Sequence, residues 1–452
     1  MQHLSSVHPE LDVDSSNTVL DRPSWFDGPL SNRWCVFGWV VATVTFVGVT
    51  QFLGGPTQID ASLSLYSTWA IAHGQLACAY PAGSAGGIPL RPPLYPLISG
   101  AFAALTHIGH GVAFPSRAAL GAGCAQEVGV MARWAQRSGA TLPSIRLGYV
   151  SWIALLAGFV SFLRASGRGR CGWEPTGLVV LAVAPPVIMS IQDIFHPEDL
   201  LAMGLALGSL ACVRRGSWAW AGVLLGAAIL SQQFILLIAA PLWVVAPRDR
   251  RIRFAGSVVG SAAIVVAPMA VMTSGRVLGS VIGVGNTPLG GATVLAQLHL
   301  HGAAEVALSR VLPVVLAMAM AGWAQRTLGR AILEPLPLAS LAATALTLRL
   351  VFEVNLYGYY FMAVAVMLIV LDVLRGRISI YLIGWFALLL LAFDPVHGGD
   401  KLLRDSPPIW LWQIFLVPVA IALAARPMIS AVRNHRATDV GVGATLGDRV
   451  LQ

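Results

Sequence analysis

Ionisable side chains flank apolar stretches at three places in the chain. Asp60 stands in IDASLSLYSTWAIAHG, His196 and Glu198 in QDIFHPEDLL, and Arg349 and Glu353 in TLRLVFEVNLYGYY. Charged groups near apolar depth are costly, so they usually face a cavity or each other. A carboxylate beside a bilayer could deprotonate a hydroxyl, and an arginine could bind a phosphate. Together they indicate a polar site assembled from separate segments.

Asp60 has two interpretations. Leu63, Tyr66 and Ala70 follow it at helical spacing, which predicts a short interfacial helix. An Asp before such a run commonly caps the helix. The same carboxylate, held just beyond the bilayer surface, could act as a general base. The two roles can coexist.

Arg91 precedes Pro92 and Pro93, which fix an extended path into the next helix. Its guanidinium could bind a phosphate as a bidentate donor. Alternatively, it could reach a lipid headgroup while its stem stays in apolar surroundings. The prolines themselves are interpreted as purely structural.

The HPED element predicts the start of a helix. Pro197 suits the first helical turn, and Glu198 and Asp199 suit its positive end. This explanation does not account for His196, which stands beside an apolar run. A lone histidine is more often structural, so both a structural and a site role stay open.

Arg349 and Glu353 are spaced to share one helix face. The simplest interpretation is an i,i+4 ion pair that stabilises the helix end. Near a membrane cavity, the same arginine could hold an anionic phosphate. Tyr357, Tyr359 and Tyr360 follow, and we interpret them as membrane-interface aromatics rather than as sugar-stacking groups.

The composition indicates an integral membrane protein. Of 452 residues, 56% are hydrophobic and only 11% are charged, with a mean hydropathy of +0.73, whereas soluble domains are about 25% charged. The net charge of +8 comes almost entirely from arginines in short clusters between apolar runs. Membrane loops distribute charge in this way, so nucleic acid is excluded as a partner.

A series of apolar stretches, several of them short, predicts an all-α, polytopic bundle of about 12 to 13 crossings. The candidates are 34–54, 94–112, 146–163, 175–191, 199–213, 217–230, 233–247, 254–273, 304–323, 335–351, 357–374, 379–393 and 408–425. The runs 217–230 and 233–247 are each too short for an upright crossing. A helical hairpin with Gln232 at its polar tip fits them.

The arginine clusters predict the orientation, because cytoplasmic loops are rich in basic residues. The organisation is then a disordered cytoplasmic tail over 1–33, a membrane domain over 34–425 and a cytoplasmic tail over 426–452. Residues 55–93 form the first extracytoplasmic loop, with short interfacial helices. Residues 55–93 and residue 145 are both predicted to lie outside, so an even number of crossings must separate them. The stretch 94–112 is therefore either a re-entrant helix or a crossing followed by a second, weakly apolar crossing within 113–145.

This topology gathers polar residues on the outer side of the membrane. Besides those above they are Gln192, Asp193, Gln232, Gln233, His299 and His301. Cys78 and Cys124 also lie outside, where a disulfide is permitted. Cys35, Cys171 and Cys212 are expected to be free, and the cysteines form no metal-binding pattern.

The order of these motifs along the chain, and their predicted position on one side of the membrane, resemble those of the GT-C superfamily of membrane glycosyltransferases. The likeness is greatest to the mannosyltransferases that use polyprenyl-phosphate-mannose. Three elements carry it: Asp60 with Tyr66 before RPPLYP, the PP…HPED element followed by WAGVLLGAAILSQQ, and R-x-x-F-E-x-x-x-Y-x-Y-Y. The resemblance covers roughly residues 34–425.

The resemblance implies a GT-C fold and an inverting sugar transfer on the outer leaflet. The donor would be a polyprenyl-phosphate sugar, most often mannose, and the acceptor a lipid, glycan or protein, with membrane lipids around the chain and neither cofactor nor metal. Asp60 aligns with the family's catalytic base. The resemblance also implies phosphate-binding roles for Arg91 and Arg349, and substrate-binding roles for Tyr66, Gln192, His196, Glu198, Gln232 and Glu353.

One departure supports other interpretations. The family often has a lysine at the position of Gln232 or Gln233, whereas Lys401 is the only lysine here. A non-catalytic protein of envelope assembly is therefore one alternative. A transporter or lipid flippase is another, although the sequence has no clear internal repeat.

Overall fold

In the computed structural model, the described residues form helices joined by turns and loops, and no strand. The described residues are 30–53, 59–80, 91–109, 111–121, 124, 133–134, 137–138, 141–167, 173–192, 195–282, 293–300, 303–354, 356–393 and 409–450. The expected all-α class is confirmed.

Sixteen helices of six residues or more are formed by the described residues. They are α1 (Leu30–Phe52), α2 (Ile59–Ala72), α3 (Leu94–Thr106), α4 (Thr141–Ala165), α5 (Glu174–Val183), α6 (Pro185–Gln192), α7 (Pro197–Arg214), α8 (Trp218–Ile229), α9 (Leu236–Val245), α10 (Arg248–Met272), α11 (Val277–Ile282), α12 (Leu312–Leu328), α13 (Pro335–Phe352), α14 (Met362–Leu374), α15 (Ile380–Ala392) and α16 (Ile409–Val450). Short 3-10 segments precede α9 and α14, and a π-helical turn precedes α12.

Six helical segments of the described chain are long and apolar enough to cross a membrane, which makes the chain a membrane protein. They are Cys35–Phe52, Pro143–Ala165, Arg248–Met272, Ala307–Leu333, Pro335–Phe352 and Trp410–His435. A bent pair, α5 with α6, raises the number to seven if it counts as one span. Five further apolar helices are shorter, so the number of 12 to 13 crossings stays a prediction.

The predicted span 175–191 is broken in the middle. α5 ends at Val183, Ala184 is extended with ψ 121°, and α6 begins at Pro185 at an angle of 49°. A proline has no N–H for the helical ladder and disfavours helical geometry in the residue before it. The consecutive Pro185 and Pro186 therefore account for the bend.

Helix α3 fits the re-entrant alternative for 94–112. Its 13 residues reach about 20 Å, which is less than the roughly 30 Å of a hydrocarbon core. It ends at His107, whose φ of 53° is left-handed. The Leu94 N–H donates to the Leu230 carbonyl, 3.1 Å away, so α3 starts beside the break between α8 and α9.

The break at Leu230–Gln232 confirms that 217–247 consists of two short helices. α8 packs on α7 and α10, whereas α9 packs on α12 and α13. The two helices therefore do not pair along their lengths, as the expected hairpin would. The polar residues of the break lie where their ends meet.

The centre of the bundle is α14, in which every residue is buried. Helices α4 and α7 cross closely where Gly158 meets Gly204. Small residues allow such close backbone approach in membrane bundles. This crossing supports α7, whose first turn carries the HPED residues.

The disulfide between Cys78 and Cys124 is formed, as the sequence permits. Cys35 and Cys212 are thiols, and Cys171 lies outside the described residues. The chain end predicted as a tail continues α16 as a helix as far as Val450. Of the first tail, only residues 30–33 are described, and they belong to α1.

Candidate functional site

Seven polar residues from separate segments meet in one place, and we refer to them as the polar cluster. Its members are Arg91, His196, Glu198, Asp199, Gln232, Arg349 and Glu353. They come from the segment before α3, the start of α7, the break between α8 and α9, and the end of α13. Six of them were predicted site residues, and the structure brings these six together.

Local sequence explains how α7 presents its polar residues. Pro197 occupies the first turn, as predicted, and His196 takes the capping position. The His196 N–H donates to the Ser190 carbonyl at 2.6 Å. Glu198 and Asp199 follow in the first turn, where the helix dipole favours negative charge. All three residues are at most 1% exposed.

Arg91, His196 and Glu198 form a closed ring of contacts. The Arg91 Nη2 lies 2.8 Å from His196 Nε2, and the Arg91 Nε lies 3.1 Å from Glu198 Oε1. His196 Nδ1 lies 3.1 Å from the same oxygen. Because a guanidinium only donates hydrogen bonds, Nε2 must be the acceptor. His196 is therefore neutral, and its proton lies on Nδ1, facing Glu198.

His196, Glu198 and Asp199 each offer a ligand atom, all within 4.8 Å of one another. A metal on Nδ1 would require that nitrogen to lose its proton, which would then sit on Nε2 and oppose the Arg91 donor. A metal on Nε2 would displace the guanidinium. The geometry therefore favours a hydrogen-bonded ion cluster over a metal centre.

Asp199 is the cluster member whose role sequence reasoning missed, because the helix-end explanation was accepted as sufficient for it. The Gln232 amide hydrogen-bonds its carboxyl, and Arg91 and Arg349 act on it electrostatically. Its Oδ1 is buried without a hydrogen-bond donor among the described residues. The sequence did contain a signal for this role. HPED has two acidic residues in the first turn of the helix, and one is enough to interact with the helix end.

Arg349 and Glu353 form the predicted i,i+4 ion pair at 3.3 Å. The Arg349 guanidinium contacts two rings, 4.7 Å from the Phe234 centroid and 4.3 Å from that of Tyr360. Cation–π contacts of this kind stabilise a desolvated arginine. Arg349 is thus held by two aromatic rings and by an ion pair at its Nε.

The interpretation of the tyrosines as membrane-interface aromatics is wrong for two of them. Tyr359 and Tyr360 are buried, at 4% and 7% exposure. Tyr359 stacks on His196 with ring centroids 4.0 Å apart and planes 16° apart, while Tyr360 covers Arg349. These two rings join the HPED residues to the Arg349–Glu353 pair.

Arg310 was also missed. Its Nη1 lies 3.3 Å and 3.4 Å from the two carboxylate oxygens of Glu353. It belongs to a π-helical turn, Ala307–Val311, inside a segment apolar enough to span a membrane. An arginine within the predicted span 304–323 was the signal, because such residues are rarely tolerated without a function.

Two other predicted site residues have different roles in the structure. The buried Gln192 donates from Nε2 to the Thr50 carbonyl, which ties α6 to α1. Tyr66 is buried in a separate hydrophobic cluster beside Phe114 and Trp134. Burial raises the pKa of Tyr66 to about 12, and Arg276 partly opposes this shift, so its phenol is not a base at ordinary pH.

Asp60 is the second residue of α2, in the first turn rather than before it, so the helix does not begin with Asp60 as its cap. Its side chain lies outside the described residues, as do Asp193 and His301. His299 contacts the Gln297 carbonyl, and Gln233 donates to the Val281 carbonyl. These contacts do not bring either residue into the polar cluster.

The polar cluster and Arg310 together contain three guanidinium groups and three carboxyl groups, so their formal charges balance. Such a network can bind the hydroxyls and phosphate of a polar ligand through charged, hydrogen-bonding groups. Comparison with protein-family models, with curated proteins and with solved structures gives no significant match.

Proposed function

We propose that this protein is a membrane glycosyltransferase that moves a sugar from a polyprenyl-phosphate donor to a hydroxyl of an envelope lipid, glycan or protein. Mannose is the sugar that the motif resemblance favours. The reaction takes place on the extracytoplasmic face, which the positions of the arginine clusters predict.

One observation supports this proposal most: buried acids and arginines from three separate segments converge at one end of apolar helices. Six ionisable groups in such surroundings are costly and need a functional reason. A stability role alone is a weak explanation, because apolar residues of similar volume often replace buried ion pairs without loss.

The proposed chemistry needs a base and a stabilised leaving group. Asp60 takes the proton of the acceptor hydroxyl, and that oxygen attacks the anomeric carbon of the donor. The bond from this carbon to the phosphate oxygen breaks, and the polyprenyl phosphate leaves with the bonding electrons. Configuration at the carbon is inverted. Cationic groups stabilise the charge that develops on the phosphate.

Within the cluster, the carboxyl of Asp199 and the amide of Gln232 supply the acceptor and donor for sugar hydroxyls. The Oδ1 of Asp199, which lacks a donor among the described residues, is suited to accept from a hydroxyl. Arg91 keeps Glu198 and His196 in place through the closed ring. This division assigns binding to α7 and the α8–α9 break, and proton removal to α2.

The direct test is sugar transfer from a radiolabelled polyprenyl-phosphate-mannose to endogenous acceptors in membranes. The Asp60→Asn variant should lose transfer while keeping the expression level and thermal stability of the wild type. Asp249→Asn is the matched control, because Asp249 is exposed and pairs only with its neighbour Arg250 among the described residues. Transfer retained by Asp60→Asn would exclude Asp60 as the base.

A transporter or flippase is the rival that a structural feature favours. The bend between α5 and α6 and the break between α8 and α9 resemble the interrupted helices of transporters. Proteoliposomes separate the two functions. Movement of a fluorescent polyprenyl phosphate between leaflets, with no sugar transferred by the wild type, would favour the rival.

A further inference from the structure

Arg310 lies on a distorted turn of an otherwise regular apolar helix. Pro313 lacks the N–H that would donate to the Ser309 carbonyl, so the regular ladder cannot continue through this point. The chain forms a π-helical turn at Ala307–Val311 instead. Such turns are rare and often mark functional positions. This one carries an arginine into a segment that could cross a membrane.

Arg310 is more accessible than Arg349. Its side chain is 37% exposed, against 13% for Arg349. Its contacts to Glu353 use Nη1 alone, and a guanidinium has five N–H donors in a planar fork that matches a phosphate. By contrast, Arg349 packs on the Phe234 and Tyr360 rings, with Glu353 at Nε.

These observations separate the roles of the two arginines. Arg349 holds Glu353 in position, and the Glu353 carboxylate competes with any other anion for Arg310. The two guanidinium groups share this one carboxylate in direct ion pairs. An incoming anion meets Arg310 first, because Arg310 is the more exposed of the two arginines.

We infer that Arg310 binds the phosphate headgroup of a membrane-embedded lipid. Access from the bilayer suits a headgroup whose tail remains in lipid, because Arg310 belongs to a candidate membrane-spanning segment. If the lipid is the sugar donor, the inference rests on the proposed function. If the lipid is a bulk anionic phospholipid, the inference is independent of the proposed function. Both lipids would present a phosphate group to Arg310.

Glu353 makes the inference testable in two directions. Replacing Arg310 by Gln removes the phosphate ligand, whereas replacing Glu353 by Gln removes a negative charge that competes with the phosphate. A phosphate site predicts weaker binding for the first variant and tighter binding for the second. A merely structural ion pair predicts a loss for both.

The experiment measures lipid binding to the full-length protein in nanodiscs, without any turnover. The probes are a polyprenyl monophosphate, the corresponding polyprenol, and phosphatidylglycerol in a phosphatidylcholine background. Arg310→Gln should weaken polyprenyl monophosphate binding about tenfold, and Glu353→Gln should strengthen it about threefold. Polyprenol binding should be the same in all variants. Arg326→Gln, an exposed arginine at the other end of the same helical segment, is the matched control.

The outcomes distinguish the lipid source and the proposed function. A loss for polyprenyl monophosphate but not for phosphatidylglycerol supports the donor as the ligand, and a loss for phosphatidylglycerol alone supports bulk lipid. Either result stands even if no sugar transfer is found. Unchanged binding of both lipids in folded Arg310→Gln, or an equal loss in Arg326→Gln, would overturn the inference. Thermal unfolding in the same nanodiscs establishes folding.

Discussion

The Arg91 guanidinium lies 2.8 Å from Nε2 of His196, a residue 105 positions further along the chain. Since arginine cannot accept a hydrogen bond, this contact determines where the histidine proton lies. The Nδ1 proton then faces Glu198, which also pairs with Arg91. Arg91 is therefore the residue on which the geometry of the HPED element depends.

We first predict strong energetic coupling between Arg91 and Glu198. Arg91→Met leaves the fully buried Glu198 without its cation, which should cost roughly 3–5 kcal/mol of unfolding free energy. Glu198→Gln keeps an acceptor for His196, and the double variant removes both charges of the Arg91–Glu198 pair. Denaturant unfolding in detergent should show the double variant recovering more than half of the Arg91→Met loss. Simple additivity of the two single losses would contradict the coupling.

Much of the local structure around this site was predictable from short-range rules. The start of α7 at Pro197 and the Arg349–Glu353 pair depend on spacings of a few residues. The apolar helices follow from runs of hydrophobic residues. In each case the signal is contained within one or two helical turns, which a single sequence displays directly.

The rest depends on packing between segments distant in sequence. The stack of Tyr359 on His196 joins the 3-10 segment before α14 to the start of α7. No local pattern distinguishes a tyrosine of the protein interior from one at the membrane interface. The pairing of Arg310 with Glu353 requires knowledge that α12 and α13 are neighbours. Tyr66 was placed near the site by its motif, but its helix directs it to another cluster.

A second prediction concerns the crossing of α4 and α7. A Cβ added at Gly204 would lie 2.6 Å from the Leu155 nitrogen and 2.5 Å from the Ala154 carbonyl carbon. Backbone atoms cannot move aside cheaply, so Gly204→Ala should destabilise the protein by about 1–3 kcal/mol. Gly256→Ala in α10 is the control, because nothing lies within 4 Å of the added carbon. Thermal unfolding that ranks the two variants equally would refute this packing.

A third prediction concerns the disulfide between Cys78 and Cys124, which closes a loop of 46 residues. Its loss in Cys78→Ser should destabilise the region by roughly 2–4 kcal/mol and expose one new thiol, that of Cys124. Thiol labelling of denatured, unreduced protein, counted by mass spectrometry, measures this directly. Cys212→Ser should instead remove one label. A label count that falls by one in Cys78→Ser, as it does in Cys212→Ser, would show that the bond does not form.

The last prediction concerns alkaline pH. Burial keeps the Tyr66 phenol protonated in the folded protein up to its raised pKa of about 12, whereas the unfolded chain releases this proton near the ordinary tyrosine pKa of 10.0. The unfolded state is therefore favoured progressively as the pH rises between these values, and Tyr66 contributes to a loss of stability there.

Tyr66→Phe should remove that part of the alkaline loss. Near neutral pH its unfolding free energy should equal or exceed that of the wild type, because the Tyr66 hydroxyl is buried without a hydrogen-bond partner among the described residues. Unfolding measured across the alkaline range tests this, with Tyr381→Phe as control, since the Tyr381 side chain is 64% exposed. The same slope of stability against pH in Tyr66→Phe and wild type would mean that Tyr66 is solvated rather than buried.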